Sequence, residues 1–417
     1  MNPRAHIGDD KSPAAKILVA SGGACSLTGF RLPLIKCLVA RGFEVVATAC
    51  EHDEFVAATL AKHGVRFVPF SVGRASVNPL ADICFVLRLL AFFRRERFDF
   101  AFLFQQKAVL YGGIAARLAG IPKIFAMVTG LGYAFDPRCG IKYKVVHFVA
   151  SILYKVATRG FSGMIFQNPD DMEFIRSRFL KKSSLPLKRV FGSGVDLNQF
   201  PYSEKFGGGS FIFVGRLIAD KGIREYVEAG GLLRRAGKAA KLFVAGGFDN
   251  NPSAITEATV REWERRGDCV YMGKISNVRE ALAGAAVFVL PSHGEGTPRA
   301  ALEAMATGRP IITTNSPGCR EVVFFEKICR RFDRATKVFV DLPAATNPRD
   351  FVGDILLGDN GFLVPVKDPE SLSLAMAYYL EHPEAVKRHG RESRRLAEKF
   401  YDVNKVNQEI LGFMGVA

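Results

Sequence analysis

Residues 286–314 read AVFVLPSHGEGTPRAALEAMATGRPIITT, an apolar run, a polar turn, a helical stretch and a second apolar run. Two short apolar runs flanking a helix are the pattern of a β-α-β unit, which belongs to a parallel sheet. Thr297 is the expected N-cap, Pro298 suits the first helical position, and Gly308 is the expected stop. Glu295 then lies in the loop facing the helix mouth. Glu303, eight positions on, lies about one to two turns inside the helix. The amides of Arg299, Ala300 and Ala301 stand at the positive helix end, which suits an anion, and Gly296 in the loop before them is counted with the donor side. A phosphate there would be flanked by two carboxylates that can grip hydroxyl groups. That is the chemistry of a nucleotide sugar, although a capped surface helix with two glutamates is also an ordinary feature, so the neighbouring segments decide.

The same alternation fills the chain. KILVASGG from Lys16 reads as a strand ending at Gly22 and Gly23, followed by a helix over 28–41. FEVVATA, VRFVPF, FDFAFLF, KIFAMV and GMIF repeat the strand pattern, with helices over 53–63, 78–95, 109–119 and 141–158. After the Gly/Ser-rich stretch GSGVDLNQFPYSEKFGGGS the pattern starts again with SFIFVGRL, KLFVAGG and CVYMG. The expected fold is α/β, with two Rossmann-like doubly wound parallel sheets facing a central cleft. The expected division is a flexible tail over 1–15, a first domain over 16–198, a second over 199–399, and a final helix over 400–417. Residues 324–358 read as an irregular basic insert in the second domain.

Composition excludes several classes. With 48% hydrophobic and 24% charged residues the chain buries a core and is not a disordered segment. The eight cysteines at 25, 37, 50, 84, 139, 269, 319 and 329 form no C-x-x-C, which suits free thiols in a reducing compartment. The N-terminus is polar and is no signal peptide, and apolar runs are broken by arginine short of a bilayer span. Of the net charge of +16, residues 1–200 supply +13, from 27 Lys+Arg against 14 Asp+Glu. The first half is therefore the part expected to meet an anionic surface. In the 141–158 helix, Val145, Phe148, Ile152 and Val156 recur at helical spacing with Lys142, Lys144 and Lys155 at the edges. Such a helix either packs on the core with snorkelling lysines or rests on anionic lipid.

The second half carries a further pair of cations. VGRLIADKG places Gly215 and Arg216 after a strand and Lys221 at the next helix start. Strand ends of one parallel sheet share an edge, so both cations face the helix that begins at 298. Two cations and a helix N-terminus neutralise a diphosphate without a metal, and no D-x-D stands at a strand end to hold one. No metal and no cofactor are expected. The first turn lacks G-x-G-x-x-G, and no acidic residue closes the second strand, which disfavours a dinucleotide dehydrogenase.

GRLIADKG, GEGTPRAALEAMATGRPIITTNSPGCRE and NGFLVPVKD resemble the GT4 family of retaining GT-B glycosyltransferases. SGG, FQQKAVLYGG, TGLGYAF, FQNPDD and GSGVDLNQF are similar to its capsule and O-antigen branch, which acts on undecaprenyl-diphosphate sugars. The resemblance runs over nearly all of 16–400. It implies catalytic roles for Glu295, Arg216 and Lys221, with Glu295 on the donor-sugar hydroxyls and the two cations on the diphosphate. It implies that Glu303 holds the ribose and that the final helix over 400–417 returns to the first domain. Many members place a histidine in the first-domain loop, where this chain has Thr129 and Gly130, and the 324–358 segment is longer than usual.

The expected function is transfer of a sugar from a nucleotide sugar, UDP-linked Gal or GalNAc in type, to a lipid-diphosphate-linked saccharide. The enzyme is expected in the cytoplasm, peripheral on the inner face of a bacterial plasma membrane. Lys107, Arg138 and Arg299, with Gly22, Gly23 and Thr129, are the acceptor-side candidates. The alternatives are a UDP-sugar 2-epimerase-like isomerase, and a basic nucleic-acid-binding protein. The latter has no RRM, helix-turn-helix or stacking-aromatic signature, so nucleic acid is not an expected partner.

Overall fold

A computed structural model describes residues 14–70, 79–131, 140–181, 183–249, 251, 253–343 and 346–416, the side chains of 79–80 and 140–146 excepted. The chain packs as two units, one holding residues up to 165 with 175–188, the other holding 166–174 with 189 onward. The change of unit near 189 precedes the glycine-rich stretch.

In the first unit the strands are β1 (Lys16–Ser21), β2 (Glu44–Ala49), β3 (Arg66–Pro69), β4 (Phe100–Phe104), β5 (Lys123–Val128), β6 (Gly163–Phe166) and β7 (Leu187–Arg189). The helices are α1 (Cys25–Gly29), α2 (Leu32–Ala40), α3 (Glu54–Ala61), α4 (Pro79–Glu96), α5 (Gly113–Ala119) and α6 (Gly140–Ala157), while α7 (Pro169–Phe179) is shared, its residues up to 174 belonging to the second unit. The sheet order is β3-β2-β1-β4-β5-β6-β7. β1 and β2 are buried after their first residue, as strands covered on both faces must be. The helix expected over 28–41 is two helices instead, α1 and α2. Pro33 has no N–H to bond back to Gly29, so the chain breaks at Phe30–Arg31 and restarts with proline in its first turn.

The second unit repeats the plan with β8 (Ser210–Val214), β9 (Lys241–Ala245), β10 (Val270–Tyr271), β11 (Val287–Leu290), β12 (Ile311–Thr314), β13 (Arg330–Asp333), β14 (Val338–Asp341), β15 (Leu356–Gly358) and β16 (Gly361–Val364). Its helices are α8 (Ile223–Arg235), α9 (Glu257–Arg265), α10 (Val278–Gly284), α11 (Arg299–Thr307), α12 (Pro369–Glu381), α13 (Pro383–Leu396) and α14 (Val403–Met414). The sheet order is β10-β9-β8-β11-β12-β16-β15-β13-β14. From β10 to β16 the pairs are parallel. Phe211, Phe213, Phe288 and Phe362 are at most 1% exposed, so each side chain contributes about 1.5–3 kcal/mol of burial. α14 follows Asp402, which bridges to Val195 within this unit.

The 324–358 segment is not irregular. β13 and β14 form an antiparallel hairpin, β15 joins it to β16, and a 3-10 turn spans Pro348–Phe351. Phe332 and Phe339 sit opposite each other with rings 5.2 Å apart, and Phe339 also meets Phe362 in the core. The turn is RATK with Lys337 at φ 57°, and it lacks the Asn-Gly or Asp-Gly that makes a hairpin legible.

Candidate active site

In both sheets the strand order reverses at one place, beside β1 and β4 in the first unit and beside β8 and β11 in the second. Ligands of doubly wound sheets sit at the strand C-termini there. Gly215 and Arg216 leave β8 at this point and the 291–297 loop leaves β11. The Gly215 amide bonds Ala245 O at 3.0 Å, and a side chain at Gly246 would strike the Gly215 carbonyl. Gly222 is left-handed at φ 74° and lies against the Pro291 carbonyl, which only glycine permits. That close approach brings the end of the 219–221 turn to the loop after β11.

As a result Lys221 and Glu295 form an ion pair, with side chains 20% and 13% exposed. Arg216 lies on the same sheet edge but makes a different contact. Its Nη1 donates to Asp249 at 2.9 Å and its side chain is 59% exposed. Glu303 accepts from Arg299 Nε at 2.7 Å, one helical turn away. Burial pushes the Glu303 carboxyl above the usual glutamate range, and the Arg299 charge partly opposes this. The side chain of Arg299 therefore orients Glu303.

The helix mouth differs from the sequence expectation in one respect. The cap residue is Pro298, whose extended backbone starts α11 without a side-chain cap, and Thr297 does not cap it. Thr297 Oγ1 donates to the Gln167 carbonyl at 3.1 Å instead. The Ala301 amide bonds Pro298 O at 3.0 Å and is therefore not open to an anion as expected, and Gly296 is buried just before the helix. Gly308 ends the helix at φ 83° as expected.

Several supporting residues were illegible in sequence. Asn168 is fully buried, and its Nδ2 donates to the carbonyls of Gly296 at 2.8 Å and Glu295 at 3.3 Å. Asn168 also bonds Asp171 in both directions, at 2.8 and 2.9 Å. His293 Nε2 lies 2.9 Å from Glu225 Oε1, and its amide bonds Asp220 O at 2.8 Å. The only sequence signal for Asn168 is the FQNPDD motif, where Asn before Pro-Asp-Asp suits a helix start.

Burial pushes the Asp171 carboxyl up to about 7, with the Asp170 charge adding to the rise and the Asn168 hydrogen bond opposing it. A carboxyl raised on folding contributes stability that is full below its unfolded value near 4 and is lost as pH rises through about 7. Asp171→Asn is therefore expected to raise Tm relative to the native chain at pH 8.5, by a few degrees, and to give little or no gain at pH 4. Thermal melts across that range check it, and an equal effect at both pH values would refute the burial argument.

The acceptor-side candidates lie in the first unit, Arg299 excepted. Gly22 and Gly23 follow β1, Lys107 follows β4, and Thr129 follows β5. Arg138 falls outside the described residues. Sequence reading missed Gln105, which stands at φ 67° directly after β4 and accepts from Ser21 Oγ at 3.2 Å. A β-carbon at Gly22 would lie 3.0 Å from Gln105 Oε1, so the glycine makes room for it. Gln106 Nε2 holds the Gly130 carbonyl at 2.9 Å, and its Oε1 accepts from Tyr154 at 2.7 Å.

Comparison with known proteins agrees with this fold. Residues 208–327 match the family described as glycosyl transferases group 1, and residues 31–184 match the glycosyl transferase 4-like domain. The chain is 30% identical, over 73% of its own length and 81% of the relative's, to N,N'-diacetylbacillosaminyl-diphospho-undecaprenol alpha-1,3-N-acetylgalactosaminyltransferase of Campylobacter jejuni. It is 29% identical, over 58% of its length and 64% of the relative's, to UDP-Gal:alpha-D-GlcNAc-diphosphoundecaprenol alpha-1,3-galactosyltransferase of Escherichia coli. The fold matches Anabaena HepE, solved in complex with UDP and glucose, with a TM-score of 0.68 at 17% identity, over 97% of this chain and all of that one. It also matches sucrose-phosphate synthase of Thermosynechococcus elongatus, with a TM-score of 0.70 at 17% identity, over 95% and 97% of the two chains.

Proposed function

The chain belongs to the GT4 family of glycosyltransferases with the GT-B fold, and from that premise we propose that it transfers a hexose from a UDP-sugar to a saccharide carried on polyprenyl diphosphate, with retention and without a metal. The observation that carries this reading is the Lys221–Glu295 pair at the switch point of the second sheet, beside the mouth of α11. Lys221, Arg216 and the helix N-terminus supply the counter-charge for a diphosphate. Glu295 takes hydroxyls of the donor sugar, and Glu303, aimed by Arg299, takes those of the ribose. Gly215 and Gly296 let the backbone approach the nucleotide, while Thr297 anchors the loop.

In this mechanism the bond from the anomeric carbon to the diphosphate oxygen breaks while the acceptor oxygen bonds to the same face. The acceptor proton passes to the departing phosphate oxygen. Charge builds on the diphosphate as it leaves, so a fixed cation acts most strongly in the transition state. The substrates named for the two relatives support a Gal- or GalNAc-type donor and an undecaprenyl-linked acceptor. The first domain is assigned the acceptor, through Gly22, Gly23, Lys107, Thr129 and Arg138. An epimerase would return a rearranged nucleotide sugar without extending any lipid, so product analysis separates the two readings.

The second proposed partner is an anionic membrane on the cytoplasmic side. Among the described residues no helix is long and apolar enough to cross a membrane. On α6, Phe148 and Ile152 are 65% and 45% exposed one turn apart, with Val149 between them and exposed Lys155 beyond. Those side chains do not pack on the core, which favours the lipid reading of this helix over core packing. Exposed Ile83, Leu87 and Arg88 on α4 repeat the mixture of apolar and basic groups. The protein is expected to sediment with vesicles containing phosphatidylglycerol at low salt, and Phe148→Ser combined with Ile152→Ser to weaken this several-fold. Failure of the native chain to sediment would refute the membrane assignment.

A further inference from the structure

The 324–358 insert is tied to a segment behind the candidate site by an arginine. Arg349, in the 348–351 turn, grips Asp170 with Nε on Oδ1 and Nη2 on Oδ2, both at 3.1 Å, and Nη2 also lies 2.8 Å from Glu321 Oε1. The turn that carries Arg349 is itself fixed, because Asn315 Nδ2 donates to the carbonyls of Pro348 at 2.6 Å and Phe351 at 3.1 Å. Arg320 adds a contact to Asp170 at 2.9 Å. All of these groups belong to the second unit.

Asp170 is two residues from Asn168, whose side chain carries the backbone of Glu295 and Gly296. The Gln167 carbonyl in the same segment receives Thr297 Oγ1. Segment 167–170 thus holds the site loop by three hydrogen bonds and is itself held from the other side by arginines. Asp170 is a carboxylate whose two oxygens both face Arg349, a forked geometry that fixes direction as well as charge. A surface decoration would be tied by loose single contacts, as Arg330 is to Asp341 on the exposed hairpin.

We infer that Arg349, supplied by the insert, is a positioning residue for Glu295: its forked hold on Asp170 sets segment 167–170, and Asn168 passes that position to the backbone of Glu295 and Gly296. The inference rests on the assignment of Glu295 to the donor sugar. Arg349 touches no substrate. It acts by keeping the Glu295 carboxylate where sugar hydroxyls meet it in the transition state, so its loss lowers kcat more than it raises KM for the donor.

The test measures initial rates of transfer from UDP-GalNAc and UDP-Gal to a lipid-diphosphate saccharide with full-length Arg349→Ala, Arg349→Lys, Asn168→Ala, their Ala–Ala double variant, Glu295→Ala and Arg330→Ala. Melting temperature and circular dichroism are followed in parallel. Arg349→Ala is expected to lose about 10- to 100-fold in kcat with donor KM changed less than about threefold, and Arg349→Lys to recover part of it. The double variant is expected to be about as slow as Asn168→Ala alone, because both act on one loop. Arg330→Ala is expected to match the native chain. Native kcat in Arg349→Ala, losses that multiply in the double variant, or a loss that follows only the folded fraction would each overturn the inference. Full activity in Glu295→Ala would instead overturn the donor-site reading on which it stands.

Discussion

Lys221→Ala is expected to lower kcat for sugar transfer by about 10²–10³-fold while the fold is retained. Lys221 ends the 219–221 turn, whose course is fixed by the Gly222 approach to Pro291, so its ammonium is aimed before any substrate arrives. Its partner Glu295 is only 13% exposed at the side chain, and removing the lysine leaves that carboxylate without its counter-ion. Two losses then coincide, the cation for a departing diphosphate and the orientation of the group that grips the sugar. Arg216→Ala is expected to cost about tenfold at most, because the arginine is more than half exposed and already paired with Asp249. Steady-state kinetics on both variants check the ranking, and a native kcat in Lys221→Ala would remove Lys221 from the mechanism.

Glu303→Ala is expected to cut kcat/KM for the nucleotide sugar by about 10²–10³-fold, mostly through KM. Two charge-assisted hydrogen bonds to ribose hydroxyls at about 1.5–3 kcal/mol each supply a loss of that size. The same substitution also removes the 2.7 Å contact between Arg299 and residue 303 at the helix mouth. Glu303→Gln keeps one acceptor and is expected to retain a larger share of affinity. Calorimetric titration with UDP checks this directly, since UDP carries the ribose and no sugar. Native UDP affinity in Glu303→Ala would refute the ribose assignment.

The parts of this site that were legible in sequence are those governed by local rules. The β-α-β alternation, the stop at Gly308 and the placing of Glu295 before the helix with Glu303 within it follow from periodicity and the demands of a helix end. Lys221 was expected at the edge of the helix that begins at 298, because strand ends of one parallel sheet share an edge, but its ion pair with Glu295 was not foreseen. The missed features depend on distant parts of the chain. Thr297 has a good capping side chain, but the Gln167 carbonyl, 130 positions earlier, takes its hydroxyl. Asn168 carries no local mark of its hold on residues 127 and 128 positions later. The 330–341 hairpin turns through Lys337 in a left-handed conformation that lysine rarely adopts, so no turn residue announced it. Gln105 hides for the same reason: a glutamine at φ 67° after β4, with Gly22 beside its side chain, carries no local mark of its conformation.

The central claim is that the second domain uses its own cations and carboxylates, without a metal, to move a sugar from UDP to a lipid-linked saccharide. Mass spectrometry of the lipid product after incubation with a UDP-sugar panel in EDTA tests it most directly. The account predicts a lipid-diphosphate saccharide one hexose or N-acetylhexosamine heavier with the native chain, and no such product with Glu295→Ala. An unextended lipid with every UDP-sugar, or extension that appears only when a divalent cation is restored, would contradict it.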